Sequence, residues 1–194
     1  MPTKIVNRGT GAGGKNTNIN GKDFEKKISL IPYLMDNDFE KKSLTKKNYY
    51  LELEVGNLKM RYFQQNSFRQ YMKKMYSYKA IRIPDEVVIL EKKNCKATLF
   101  VIEIKNQNVE GSVETKLWSP VLLRDEYRDE LGDIFDIDYF MVVNNFYKNK
   151  FQDKENRRYQ CLLKNYQKYD IKLFFGEEKN YPQKIVGNFI KYIK

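Results

Sequence analysis

The chain has 194 residues, of which 41% are hydrophobic and 14% aromatic, so it is long enough to bury a core and too apolar to be disordered. It carries a formal net charge of +11 and contains no histidine. The missing histidine excludes Ser-His-Asp and Cys-His catalysis and histidine-ligated metals, and the positive charge favours a polyanionic partner, most simply nucleic acid.

Two further features concern the cellular setting. No apolar run approaches the roughly 20 residues of a membrane span, and the first residues, MPTKIVNR, lack the apolar stretch of a signal peptide. Cys95 and Cys161 form neither a disulfide framework nor a zinc-binding spacing. We therefore expect a cytoplasmic protein with no membrane partner, and the length predicts a single domain over residues 1–194.

Residues 1–20 are rich in glycine and asparagine and predict a flexible loop or arm. The segment GTGAGGK at residues 9–15 is similar to a nucleotide-binding P-loop, but Asn16 stands where Ser or Thr would bind magnesium. A loop that contacts a phosphate backbone is therefore the favoured interpretation. Its candidate DNA-binding residues are Lys15, Asn16 and Asn18.

A helix is expected after this loop. Phe24, Ile28 and Ile31 repeat at i, i+4 and i+7, and Pro32 is expected to end the helix. Glu25 lies beside this apolar stripe. An acid in the first helical turn is favoured by the helix dipole whether or not it has a function.

A hairpin and a second helix follow. Tyr49 to Val55 and Leu58 to Phe63 flank a Gly-Asn turn, which predicts a β-hairpin. Apolar residues over 68–76 repeat with helical spacing. The other face of that helix is basic, and Lys73 and Lys74 are candidate DNA-binding residues.

The segment from residue 84 to residue 105 is the most informative for function. Its apolar runs VVIL and LFVI flank a polar turn around Asn94, which predicts an antiparallel hairpin. In a hairpin centred near Asn94 the paired residue numbers sum to about 188, which places Asp85 opposite Glu103, ~5 Å apart at Cβ. A register shift of one residue would separate them.

The second strand of this hairpin carries charge on one face. Because side chains alternate along a strand, Glu103, Lys105 and Gln107 share a face, while Phe100 and Ile102 point into a core on the other. Buried charges need a partner or a metal. Two carboxylates and a lysine at one end of a sheet are suited to bind a divalent metal and a phosphodiester.

The remaining elements complete an α/β pattern. They are a helix capped by Ser119 that carries Leu123, Tyr127 and Leu131, strands over 139–143 and 171–175, a polar basic stretch over 148–158, and a closing helix over 185–193. The order of elements predicts a mixed α/β fold with a central mixed β-sheet flanked by helices.

The acidic residues of the hairpin also fit a known signature. Pro84-Asp85, 17 intervening residues and Glu103-Ile104-Lys105 resemble the PD-(D/E)xK nuclease signature. With the glycine-rich loop before Phe24-Glu25 and the sequence QNVEGS at 107–112, the pattern is similar to type II restriction endonucleases. These segments are a minority of the chain.

The resemblance implies a restriction-endonuclease-like core and a Mg²⁺ site. Asp85, Glu103 and the backbone carbonyl of Ile104 would bind the metal, which prefers oxygen ligands. Lys105 would orient or help to deprotonate the attacking water and offset charge on the phosphate.

Two further residues receive roles from the same resemblance. Glu25 matches a helix glutamate that often supports the metal in this fold. Gln107 shares the catalytic face and would contact water or phosphate, although a polar residue at a strand end also needs no function.

The expected function is a Mg²⁺-dependent, sequence-specific endonuclease that cuts double-stranded DNA. Cleaving both strands of a palindrome usually takes two active sites, so a homodimer is expected. Two alternatives remain: a repair, recombination or structure-specific nuclease of the same fold, and a nucleic-acid-binding protein without catalysis. The loops that read bases are not identified, and the 148–158 region is a further candidate.

Overall fold

A computed structural model describes residues 15–79, 82–107 and 113–190. Within these ranges the chain forms a seven-stranded sheet with helices on both faces. The strands are Glu40–Ser43 (β1), Tyr49–Val55 (β2), Leu58–Gln64 (β3), Glu86–Lys92 (β4), Ala97–Lys105 (β5), Phe135–Val143 (β6) and Ile171–Phe175 (β7). The helices are Lys15–Lys27 (α1), Ile31–Met35 (α2), Gln65–Tyr76 (α3), Val113–Lys116 (α4), Pro120–Leu131 (α5), Asn145–Gln152 (α6), Arg157–Lys168 (α7) and Tyr181–Ile190 (α8). The predicted mixed α/β fold with a central mixed sheet is confirmed.

The sheet keeps the strands in sequence order. Neighbouring strands from β1 to β5 are antiparallel, whereas β5, β6 and β7 are parallel and are joined through helices. The C-terminal ends of the three parallel strands therefore meet the start of β4 at one end of the sheet, which we call the upper end. In open α/β sheets this is where ligands bind.

The β4–β5 hairpin has the predicted register. Glu86 pairs with Ile102 and Val87 with Val101, and these residue numbers sum to 188. Asn94 lies in the connecting turn with φ 63°, a left-handed conformation that asparagine tolerates better than most residues. The register places Asp85, one residue before β4, level with Glu103.

Both faces of the sheet are buried. One face packs against α3, α5, α6 and α7, and the other packs against α1, α2 and α8. Along β5, Leu99 and Val101 belong to the first core, and Phe100 and Ile102 belong to the second. This alternation confirms the predicted faces of β5 and explains why its central residues are apolar on both sides.

Two predictions about the N-terminal region are wrong. Residues 15–20 belong to α1 rather than to a loop, since asparagine costs only a few tenths of a kcal/mol per helical position and packing at Phe24 and Ile28 outweighs it. Pro32 does not end the first helix. It lies in the first turn of α2, where a missing N–H costs no helical hydrogen bond. Residues 1–14 lie outside the described residues.

The sequence does not reveal α6 and α7. Their helical faces are hidden in a strongly basic stretch, and they bury mainly aromatic side chains: Tyr147, Phe151, Tyr159, Leu162 and Tyr166. The predicted closing helix is present as α8, and its expected continuation beyond residue 190 lies outside the described residues. Among the helices in the described ranges, none combines the length and apolar character needed to cross a bilayer.

Replacing Phe140 tests the second core. Its ring lies within 6 Å, centroid to centroid, of the rings of Phe100, Phe174 and Phe189. Because Phe140 is fully buried, Phe140→Ala is expected to lower the free energy of unfolding by about 3–5 kcal/mol. Leu122→Ala, at a side chain that is 73% exposed, should change it by less than about 0.5 kcal/mol. Urea denaturation measures both, and similar losses for the two variants would contradict this packing.

Candidate active site at the upper end of the sheet

Asp85 is held in place by hydrogen bonds at the start of β4. Its Oδ2 accepts a hydrogen bond from the backbone N–H of Ile104 at 2.8 Å. Its Oδ1 accepts one from the side-chain amide of Gln65, and its backbone carbonyl accepts one from the Gln65 N–H, both at 3.3 Å. The β4–β5 pairing and the first turn of α3 thus fix the direction of this carboxylate.

Lys105 lies between the two predicted acids. Its Nζ is 2.5 Å from Oε1 of Glu103 and 3.7 Å from Oδ2 of Asp85, and it donates a hydrogen bond to the Ile104 carbonyl oxygen at 3.2 Å. Two carboxylates and one carbonyl therefore converge on a single cation. The predicted proximity of Asp85, Glu103 and Lys105 is confirmed.

Burial and charge act together on this cluster. Burial raises the pKa of Glu103, as does the neighbouring Asp85 carboxylate, while Lys105 opposes the rise. Burial acts to lower the pKa of Lys105, but Glu103 and Asp85 outweigh it and raise the pKa above its usual value. The lysine is therefore an ammonium ion at neutral pH, and its charge offsets two partly buried carboxylates.

Glu25 faces the cluster from α1. Burial raises the pKa of its carboxyl, and the next largest cause is the Asp85 carboxylate. The helix comes this close because the residue that follows β7 is Gly176. An added Cβ at Gly176 would lie 2.8 Å from Cδ1 of Ile28 and 3.2 Å from the ring of Phe24. The structure thus brings Glu25 to the site from a distant part of the sequence.

Gln107 lies just beyond β5 and is tied to the start of α6. Its Oε1 accepts a hydrogen bond from the Tyr147 hydroxyl at 2.8 Å, and its backbone carbonyl accepts one from the side-chain amide of Asn144 at 2.9 Å. These contacts hold the chain where it leaves the cluster. They are a structural role for Gln107 that the sequence did not indicate.

The structure does not bring Lys73 and Lys74 to the cluster. They lie near the C-terminal end of α3, where the ring of Tyr76 packs on that of Phe135 at the opposite end of the sheet. That end is roughly 25 Å along β5 from Lys105, at about 3.3 Å per residue. The other predicted DNA-binding residues, Lys15, Asn16 and Asn18, begin α1, and their side chains lie outside the described part of the chain.

Glu86 is a buried acid next to the site that the sequence analysis left without a role. It is 3% exposed, and its Oε1 accepts a hydrogen bond from the Tyr62 hydroxyl at 2.6 Å. Its second oxygen, Oε2, is buried without a hydrogen-bond partner among the described residues. Burial raises the pKa of Glu86 to about 8. The sequence held one signal for this buried acid: a charged residue at the start of the apolar run EVVIL.

The converging oxygens fit a hard divalent cation. Mg²⁺ takes oxygen ligands and usually keeps several waters, so it needs only a few protein groups. Asp85, Glu103 and the Ile104 carbonyl provide such a set. Within residues 15–79, 82–107 and 113–190, no three acidic, cysteine or histidine side chains form a metal site by themselves. In this structure the ammonium of Lys105 lies among these oxygens.

Comparisons with known proteins give only distant likenesses. No protein-family model matches the chain, and no curated protein sequence matches it. A solved XisH family protein from Nostoc punctiforme PCC 73102 is 12% identical and superposes with a TM-score of 0.37, covering 78% of this chain and 88% of that one. An fdxN element excision controlling factor protein from Anabaena variabilis is 13% identical with a TM-score of 0.37, covering 79% and 89%. These TM-scores are too low for either structure to bear on function.

The stability of a Glu86→Gln variant should depend on pH differently from that of the wild type. The folded state holds the Glu86 proton more tightly than the unfolded state, so this group favours folding at low pH and loses that contribution as pH rises through about 8. The variant, which keeps an acceptor for Tyr62, should therefore gain stability relative to wild type between about pH 5 and pH 8, by up to ~1.4 kcal/mol per pH unit.

Urea denaturation at a series of pH values measures this difference. Glu155→Gln, at an exposed carboxylate, is the matched control and should follow the wild type. A Glu86→Gln profile parallel to that of the wild type would show that Glu86 is not a buried neutral acid.

Proposed function

We propose that this chain is a Mg²⁺-dependent endonuclease that hydrolyses phosphodiester bonds in DNA. One observation carries the proposal: carboxylate oxygens of Asp85 and Glu103 and the Ile104 carbonyl oxygen surround one ammonium ion at the upper end of the sheet. The same oxygens suit a divalent cation, and the lysine that they now hold suits a phosphate. The net charge of +11 supports a nucleic acid as the substrate.

Each residue then has a distinct part. When bound, Mg²⁺ supplies Lewis-acid chemistry and positive charge at the reacting phosphate. Asp85 and Glu103 would hold the cation, and the β4–β5 pairing fixes where these two residues lie. Lys105 would present its ammonium to the phosphate and orient the attacking water. This role requires no loss of its proton, in agreement with the raised pKa.

Glu25 and Gln107 support this arrangement in different ways. Glu25 adds a third carboxylate from α1, near enough to interact electrostatically with Asp85 and Lys105, and it would hold water or the cation. Gln107 keeps the end of β5 in position through Tyr147 and would reach water or phosphate beside Lys105.

More specifically, we propose that the enzyme is a type II restriction endonuclease. The resemblance of the Asp85–Lys105 spacing to the PD-(D/E)xK signature supports a restriction-endonuclease-like core. On this view the protein recognises a short sequence in duplex DNA and acts as a homodimer with one site per strand.

Variants of the cluster test catalysis directly. Asp85→Asn, Glu103→Gln and Lys105→Met should each reduce Mg²⁺-dependent cleavage of unmodified plasmid DNA by about 100-fold or more, because each removes charge from the reacting site. Asp129→Asn and Lys164→Met make the same changes of charge at exposed positions and should cut like the wild type. Initial rates on agarose gels, with EDTA as the metal-free control, give the comparison.

The substrate pattern separates the nuclease classes. Discrete fragments whose sequenced ends share one motif would support a restriction endonuclease. Cutting confined to branched or single-stranded DNA would instead indicate a structure-specific nuclease. Wild-type activity in all three cluster variants would contradict the proposed site.

A further inference from the structure

An open cleft of about 550 Å³ adjoins the candidate active site. Asp85 and Ile104 form part of its lining, so one end of the cleft reaches the converging oxygens. Its walls come from α1, from the β1–β2 loop and from the first turn of α3. These three elements meet at the upper end of the sheet, because β2 begins and β3 ends there.

The rim of this cleft carries three exposed lysines: Lys22 and Lys26 on α1, and Lys47 on the β1–β2 loop. None of the three forms an ion pair with a carboxylate of the described residues, whereas their neighbour Lys27 pairs with Glu177 at 2.7 Å. Lys22 interacts electrostatically with Glu25, which lies at the active-site end of the cleft. Three lysines at one cleft that form no ion pair with the described residues are available to an anion.

The remaining polar groups of the cleft are mostly neutral. The amide side chains are Asn48, Gln64, Gln65 and Asn66, and hydroxyls come from Ser29, Tyr49 and Ser67. Such groups donate hydrogen bonds to phosphate oxygens and to sugars. The acidic residues of the lining, Glu25, Asp85 and Glu86, belong to the active-site end or lie directly beneath it.

We propose that this cleft binds the phosphodiester backbone of the DNA strand next to the phosphate that is cut. The inference rests on the proposed nuclease function and adds the path of the strand, which runs from the active site between α1 and the β1–β2 loop. Lys22, Lys26 and Lys47 each neutralise a backbone phosphate. Because lysine acts on phosphate as a point charge, the contact positions the strand without reading its sequence.

The experiment compares two triple variants with the same change of charge. Lys22→Ala/Lys26→Ala/Lys47→Ala removes the cleft lysines, and Lys93→Ala/Lys164→Ala/Lys168→Ala removes three exposed lysines from the β4–β5 turn and from α7. Fluorescence anisotropy with two unrelated 20-mer duplexes, in EDTA so that no strand is cut, gives Kd over a range of salt concentrations. Thermal melts confirm that both variants fold.

The cleft variant should bind both duplexes on the order of tenfold more weakly or worse, with the slope of log K against log salt reduced by about 3. The control variant should stay close to wild type. Equal slopes for the two variants would overturn the assignment of the cleft, as would a loss confined to one duplex sequence.

The outcomes for the cleft and for catalysis are separable. If the wild type cuts DNA but the cleft variant keeps the binding of the control, the cleft assignment fails and the nuclease proposal stands. If the cleft variant alone loses binding while no DNA is cut by the wild type under any metal condition, the nuclease proposal fails and the cleft remains a DNA-binding site.

Discussion

The pairing of β4 with β5 is the constraint on which the site depends. Its register sets Asp85 level with Glu103, and the hydrogen bond from the Ile104 N–H to Asp85 ties the carboxylate to the neighbouring strand. A shift by one residue would move Glu103 and Lys105 to the opposite face of the sheet. The same shift would carry the alternating apolar residues of β5 into the wrong cores, so hydrophobic burial protects the geometry of the charged end.

Charge balance is the second condition. Two carboxylates in a partly buried position repel each other, and desolvation adds to the cost. Lys105 compensates the negative charge of both acids in this structure. Under the proposed function a divalent cation with water ligands would replace this compensation, because it would offer the acids more charge than one ammonium does. The neutral acid Glu86 fits the same logic, since a fourth negative charge beside Asp85, Glu103 and Glu25 would be costly.

The sequence predicted the parts of this architecture that depend on local periodicity. Alternation in β5 and the turn at Asn94 were enough to place Asp85 beside Glu103, and the order of strands and helices indicated the mixed sheet. The prediction that Pro32 ends a helix was wrong because a proline that begins a helix and a proline that follows one give the same signal in the sequence. The sequence did not predict α6 and α7, because their few buried aromatic residues lie among many lysines and arginines.

Other features depend on contacts between distant segments and have no local signal. Three features are of this kind: the close packing of α1 against Gly176, the buried hydrogen bond between Tyr62 and Glu86, and the cleft between α1 and the β1–β2 loop. The family resemblance pointed to Glu25, but only the packing of α1 on the end of the sheet brings that carboxylate to the cluster.

A crystal soaked with Mn²⁺ would show directly whether the converging oxygens bind a cation. We expect one anomalous peak between the carboxylates of Asp85 and Glu103 and the carbonyl of Ile104, with Lys105 Nζ moved away from both acids. Manganese shares the oxygen preference of magnesium and scatters strongly enough to be located. A fully soaked crystal with no peak at this position, and with Lys105 still bridging the two acids, would contradict a metal-dependent site.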